Sequence, residues 1–473
     1  MEGKKLGALL VILLTCLLFY AMLISSASGV IKFIVILITM AGCGISLQSL
    51  LKIDGQFGVL LLRTQKGLRY IDYIANAAPR LWQACADFGT VLGFGLSSFF
   101  IFKRYREGVP LKTFLFSMAA LVVVSQTMTL KVFQMIILLI SVPMDVSSLS
   151  QQMGSVASYV PWVTLLAMLF FGFCGVTVVG LILNTYSIIV SILSVLLSVP
   201  GSSLNDAMPG ASPVIPGINM PLLEGIIALG VLLFVHEMSH GILSIIGKVR
   251  LESAGLLLFG VIPVGAFIDP DEKSLEKKGI DVQTRVFAAG SASNLIMFIL
   301  FFFLLLGFEH FTAPFLDPSI HLVSVDPGSP AFEAGLRPGD RLISVEGIGI
   351  TWENFGQFGT FLAQRDTVMV KTDKGEYLIQ PKLSGDRKII GIRVPSYPPY
   401  MQGYEWLGFL KNTIGLIFVL NFLVGVINLI PLFMAFDGYR ILAMHMKNQL
   451  VINIISYSLL LMFLLNFVPW LWR

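Results

Sequence analysis

Residues 225–248 read GIIALGVLLFVHEMSHGILSIIGK. An uncharged run, Gly225–Val235, leads directly into His236-Glu237-Met238-Ser239-His240. The apolar stretch around it, about 221–247, is long enough to cross a bilayer as a helix. Helical positions i and i+4 share one face, so both imidazoles of an H-E-x-x-H pattern can hold one zinc ion. The glutamate beside the first histidine can then reach a water on that ion and take its proton. Two buried histidines with ordinary hydrogen-bond partners are the plainer alternative. Ionisable groups within a span are costly and usually functional, which favours the metal.

The rest of the chain has the same apolar character. Of 473 residues, 56% are hydrophobic and 13% are charged, whereas soluble proteins carry about 25% charged residues. This excludes an ordinary soluble enzyme, a disordered chain and a collagen. The net charge of +4 comes from basic residues in short loops, which reads as a topology signal and not as a nucleic-acid surface. Cys16, Cys43, Cys85 and Cys174 lie in apolar stretches without a C-x-x-C, which argues against a disulfide framework or a cysteine metal site.

Leu6–Ile24 reads as a first span with its amino end in the cytoplasm, because no small-residue cleavage site follows it. Further spans are expected near 30–51, 81–102, 111–143, 161–199, 221–247, 286–308, 407–431 and 450–472. Residues 161–199 are all uncharged, enough for two helices with a turn at Asn184-Thr185. The expected fold is thus a polytopic α-helical membrane protein of 10 or 11 spans. Its first third holds a conflict. Residues 52–80 and 103–112 are both basic, yet one apparent span separates them, and a simple crossing cannot place both on the positive side.

Composition changes after Phe308. Residues 309–405 carry 9 Lys/Arg and 12 Asp/Glu, with alternating apolar positions and frequent Gly and Pro. They read as a small β-rich domain inserted between two spans. The expected layout is a multi-span region of unassigned role at 1–220, a first core segment at 221–308, the inserted domain at 309–405, and a second core segment at 406–473.

A catalytic zinc usually takes three protein ligands and leaves one position for water. Asp437 is the candidate third, in Asn428-Leu429-Ile430-Pro431-Leu432-Phe433-Met434-Ala435-Phe436-Asp437-Gly438. Pro431 breaks the helix and Gly438 frees the backbone, so the carboxylate can be aimed sideways. Lys248, Arg250, Lys273, Lys277, Lys278 and Arg285 follow the histidines, and Arg440 and Lys447 follow Asp437. All three donors therefore fall near the positive, cytoplasmic ends of their helices. His240 lies about 12 Å along the helix from Lys248, at 1.5 Å per residue.

With HEMSH, Ile262-Pro263-Val264-Gly265-Ala266-Phe267, Gly290-Ser291-Ala292-Ser293-Asn294 and Asn428…Pro431…Asp437-Gly438 in this order, the chain resembles the site-2 protease family of intramembrane zinc metalloproteases. The resemblance covers roughly residues 221–445. It implies one zinc per chain on His236, His240 and Asp437, Glu237 as general base, and Asn294 and Asn428 near the bound substrate backbone. It also implies a membrane-embedded β-hairpin over Val249–Asp269, whose edge pairs with an unwound substrate segment; a plain cytoplasmic loop is the alternative. Ser291 stands where the family usually has proline, and the Asn428–Asp437 spacing is one residue longer than usual. Within the insert, Ala334-Gly335-Leu336-Arg337-Pro338-Gly339-Asp340-Arg341-Leu342-Ile343 before Ser344-Val345-Glu346-Gly347 resembles a PDZ domain, a fold that captures extended peptide or a carboxyl terminus; a spacer or filter role is equally compatible with it, and the parity of the spans places it outside the cytoplasm.

The expected activity is cleavage of transmembrane segments of other membrane proteins within the bilayer, with no nucleic-acid partner. A membrane-anchored zinc protease acting on soluble or misfolded segments, and a metal-handling transporter, are the alternatives. His310, His321 and His445 read as solvated histidines. Asp54, Asp72 and Asp87 receive no role.

Overall fold

The computed structural model describes residues 2–25, 29–100, 102, 106–124, 160–199, 203–204, 207–212, 214–217, 219–355, 358–384, 387–395 and 398–472. The chain forms two compact units, Met1–Phe302 with Leu416–Arg473, and Phe303–Gly415.

The longer helices are α1 (Glu2–Ile24), α2 (Gly29–Leu51), α3 (Leu68–Ala77), α4 (Pro79–Phe94), α5 (Leu111–Val124), α6 (Val160–Leu196), α7 (Leu222–Ile246), α8 (Ile280–Thr312), α9 (Trp406–Leu429), α10 (Asp437–His445) and α11 (Gln449–Leu465). Among the described residues, seven helices are long and apolar enough to cross a membrane: α1, α2, α6, α7, α8, α9 and α11. The expectation of 10 or 11 concerns the whole chain, part of which lies outside the described residues. The part of 111–143 beyond residue 124 lies outside the described residues.

Among the described residues, no helix long and apolar enough to cross a membrane lies within the expected span at 81–102. The α4 helix is 16 residues long and stops at Gly95, whose φ of 57° belongs to a region that favours glycine. There α4 meets α6, where Gly172 has φ 63° and interrupts the helix. A Cβ on Gly172 would lie 2.4 Å from the Gly93 carbonyl, so the two breaks interlock backbone to backbone. Leu96 N–H, which has left its helix, donates to Leu169 O at 2.9 Å. Each break thus satisfies part of the other's freed hydrogen-bonding potential, the condition for irregular backbone within an apolar bundle.

Beyond Gly95 the chain turns back. Phe102 stacks on His445 at 4.6 Å between ring centroids, and Arg285 binds both Asp87 and the Gly108 carbonyl. Residue 108 has therefore returned to the level of the middle of α4. The described residues of 79–108 thus run out and back past Arg285, a re-entrant course.

The α6 helix also differs from expectation. It bends at Gly172 and not at Asn184-Thr185. Asn184 Nδ2 donates to Asn466 Oδ1 at 2.7 Å, and Asn466 Nδ2 donates to Thr185 Oγ1 at 2.8 Å. Polar residues in apolar helices bind across to a neighbour and need no turn. Farther along, Phe173 of α6, Phe298 of α8 and Phe418 and Phe422 of α9 pack with centroids 4.7–5.7 Å apart, within the range of favourable aromatic pairs.

Val249–Asp269 is not a loop. Strands β3 (Leu251–Phe259) and β4 (Ile262–Pro270) form a hairpin with a bulge between Leu257 and Leu258. β1 (Asp54–Gln56) and β2 (Val59–Thr64) extend it to a four-stranded antiparallel sheet of order β1-β2-β3-β4. β2 covers one edge of β3 in continuous register from Val59↔Phe259 to Thr64↔Ala254. Arg63 reaches across β3 to Ser253 Oγ at 2.9 Å and to the Asp269 carboxylate.

In the second unit, a sheet orders Glu376–Ile379, Val368–Thr372, Arg341–Val345 and Ile320–His321, with Ile348–Gly349 folded back on Arg341–Val345. Val368, Val370 and Thr372 are buried while Met369 and Lys371 are not, the period of two of a half-buried strand. Val368 and Val370 pack with Leu322, Leu336, Val345 and Phe358. Ser329 caps the short helix Pro330–Ala334 by accepting from Phe332 N–H at 3.3 Å.

Candidate metal centre

Three helices bring the donors together. α7 carries His236 and His240 one turn apart, and α10 begins at Asp437. The donor atoms of His236, His240 and Asp437 all lie within 4.8 Å of one another. His240 Nε2 is 3.2 Å from His236 Nε2 and 3.5 Å from Asp437 Oδ2, and His236 Nε2 is 3.9 Å from the same oxygen. The third helix, α8, supplies room. A Cβ on Gly290 would lie 2.5 Å from both Nε2 atoms, so a side chain at 290 would occupy the space the donors face.

Asp437 reaches this point because α9 ends at Leu429 and the chain turns before α10. Gly438 serves by closeness and not by freedom of φ. A Cβ there would lie 1.9 Å from the Leu429 carbonyl oxygen.

Each imidazole has a partner on its far side. His240 Nδ1 is 2.7 Å from the Val286 carbonyl, which can only accept. Nδ1 therefore carries the proton, and the Nε2 lone pair faces the cluster. His236 Nδ1 lies 3.0 Å from the Asn294 amide. If His236 is to give Nε2 to a metal, its Nδ1–H needs an acceptor. Asn294 Oδ1 has no hydrogen-bond partner in its present rotamer, and a 180° amide turn puts that oxygen against Nδ1. The buried orphan and the two oriented imidazoles fit a bound cation. Two imidazoles and a carboxylate suit zinc.

Glu237 lies beside the cluster. Its Oε2 accepts from Ile268 N–H of β4 at 2.9 Å, so the sheet fixes one carboxylate oxygen. Ser293 Oγ, on α8, donates to Val235 O at 3.3 Å and ties that helix to α7 next to His236.

The two asparagines differ. Asn428 Nδ2 stands 3.4 Å from His236 Nε2, on the donor side. Asn294 is wholly buried beside His236 Nδ1. His445 is not solvated: its Nε2 lies 3.0 Å from Thr284 Oγ1. His310 is exposed, and His321 is 3.7 Å from an Asp317 oxygen. Asp54 stands 3.8 Å from Arg63. The Val286 carbonyl and the Ile268 amide had no side-chain signature to read.

A family model for peptidase family M50 matches residues 224–465, half of the chain, including every residue of the centre. The chain belongs to peptidase family M50. Among its relatives is an uncharacterized protein of Methanocaldococcus jannaschii, 30% identical over 246 residues, which are 50% of this chain and 62% of that one. A protein of Clostridium perfringens, provisionally named as a zinc metalloprotease, is 25% identical over 216 residues, 39% of this chain and 63% of the relative. A similarly named protein of Brucella suis is 48% identical over 63 residues, 13% and 16% of the two chains. The chain thus spans under two thirds of the length of these relatives. The M50 match leaves residues 1–223 outside it.

Proposed function

We propose that this M50 protein is an intramembrane zinc metalloprotease that cleaves transmembrane segments of other membrane proteins. The observation that carries the reading is a His-His-Asp cluster within an apolar helical bundle, with a glutamate fixed at its side. His236, His240 and Asp437 would hold one zinc ion. The ion supplies Lewis acidity, polarising the scissile carbonyl and acidifying water.

The chain's own groups do the rest. Ile268 N–H holds Glu237 Oε2 and leaves Oε1 to take the proton of the attacking water. The water oxygen adds to the carbonyl carbon, the C–N bond breaks, and Glu237 returns the proton to the departing amine. Asn428, on the donor side, is placed to bind the substrate backbone. Helical carbonyls are already hydrogen-bonded, so the substrate must unwind. The outer edge of β4 suits the unwound stretch. Ile268 points its N–H away from β3, and Ala266, two residues earlier, turns its polar groups the same way. Strand addition there would carry the substrate past Glu237.

Basic residues after α7 and α10 argue for a cytoplasmic position of the centre. The second unit is read as a PDZ-like module outside the cytoplasm that receives extended peptide or a carboxyl terminus. The test is cleavage of a single-span substrate by zinc-loaded protein in proteoliposomes. Glu237→Gln is expected to retain zinc and lose cleavage by about 10²–10⁴-fold. Cleavage by Glu237→Gln at the wild-type rate would overturn the reading.

A further inference from the structure

Asp87 lies on the re-entrant α4, far in sequence from the segment matched to the family, and is 1% exposed. Its two carboxylate oxygens accept from Arg285, Oδ1 from Nε at 2.8 Å and Oδ2 from Nη2 at 3.1 Å. This is the paired, planar geometry that only arginine offers a carboxylate. Nη2 also donates to the Gly108 carbonyl at 2.7 Å, and Nη1 stands 3.5 Å from Asp281. The guanidinium is thus held from the outbound limb of the re-entrant segment, from its return limb and from its own helix.

The residue after Arg285 is Val286, whose carbonyl receives His240 Nδ1–H. The direction of that carbonyl is set by the height and rotation of α8 at this turn. Just above, a Cβ on Gly89 of α4 would lie 2.3 Å from Ala292 of α8, so the two helices touch backbone to backbone. Asp87 and Gly89 together give α8 one seating, as a pin and a flat.

We propose that Asp87 is a positioning residue of the metal centre: through Arg285 it fixes the Val286 carbonyl that orients His240. The first third of the chain then has a task, to hold the helix behind the metal. The inference rests on the reading of His236, His240 and Asp437 as a zinc site. It adds a residue that neither touches the metal nor lies in the matched segment.

The test uses full-length protein in detergent or nanodiscs. Zinc affinity is measured by competition with a chelator, the visible spectrum of cobalt-loaded protein reports ligand geometry, and thermal stability is recorded alongside. Asp87→Asn is expected to weaken zinc binding by about 10-fold, the lower end for groups behind a ligand, and to alter the cobalt spectrum. Should Asp87→Asn fail to fold, the pair Asp87→Leu with Arg285→Met decides. Replacing both charges by apolar groups of similar size keeps or restores stability but leaves the carbonyl unpinned, so zinc affinity stays low. Ser97→Ala, in the same segment but away from Arg285, should bind zinc as wild type does. Wild-type affinity and spectrum in folded Asp87→Asn, or in the double variant, would overturn the proposal. Failure of the wild-type protein to bind zinc would instead overturn the metal reading beneath it.

Discussion

Gly290 stands against His236 with no room for a side chain: a Cβ at 290 would lie 2.5 Å from His236 Nε2, and equally close to that of His240. The helix behind the metal centre therefore contributes an absence of atoms. Gly290→Ala puts a methyl group where the donors converge. Zinc affinity should fall by at least about tenfold, while α8 itself, if anything, gains helix propensity. Metal analysis beside a thermal melt checks both halves of this expectation, and a variant that binds zinc normally would refute it.

The two histidines should behave alike and unlike Glu237. His236→Ala or His240→Ala removes one of three ligands and should cost most of the bound zinc, from about one ion per chain. Elemental analysis of the purified variants decides it. Retention of stoichiometric zinc in both would remove the H-E-x-x-H assignment.

Asp437 joins the cluster through its charge and its oxygen. Asp437→Asn keeps an oxygen and nearly the same shape, so the turn between α9 and α10 should survive. Affinity for zinc should drop by up to about 100-fold, with a fold change in chelator competition as the readout. An unchanged affinity would show that the carboxylate is a bystander.

The interlocked breaks at Gly95 and Gly172 yield a stability prediction. Gly172→Ala forces an L residue into φ 63° and drives a Cβ to 2.4 Å from the Gly93 carbonyl. The strain alone costs about 1–3 kcal/mol. Gly180, in the same helix but with open space around it, should accept alanine with little change. Equal melting behaviour of Gly172→Ala and Gly180→Ala would contradict the interlock.

The donors were legible in the sequence because they obey a short-range rule. His236 and His240 share a helix face by spacing alone, and Asp437 follows a proline-broken run. The hairpin at 249–269 needed a family resemblance, since its alternation is imperfect and three glycines interrupt it. The contact of Asn294 with His236 was not legible, because a lone asparagine reads the same in sequence whether it meets a substrate or an imidazole. The break of α4 at Gly95 was not legible within 81–102, because hydropathy measures burial and a re-entrant segment is as buried as a crossing. Gly172 was overlooked in favour of Asn184-Thr185 because a glycine in an apolar run usually stays helical. Its partner, Gly95, lies 77 positions away, and no local rule connects the two. The groups that aim His240 and Glu237 are the backbone of Val286 and Ile268, which any side chain could have supplied.

The pairing of β2 with β3 also bears on the order of biogenesis. Val59–Thr64 finds its partner only at Ala254–Phe259, and Asp87 waits for Arg285. A ribosome making this chain from its amino end must release the first hairpin long before either partner exists. Contacts of such long sequence separation pay their loop-closure entropy before any return and form slowly. The early hairpin then waits with an open strand edge, a surface prone to wrong pairing. Asp437 follows Arg285 and both histidines in the chain and arrives later still. The candidate metal centre therefore closes only after Asp437 is made, so a nascent chain carries His236 and His240 before the carboxylate that joins them.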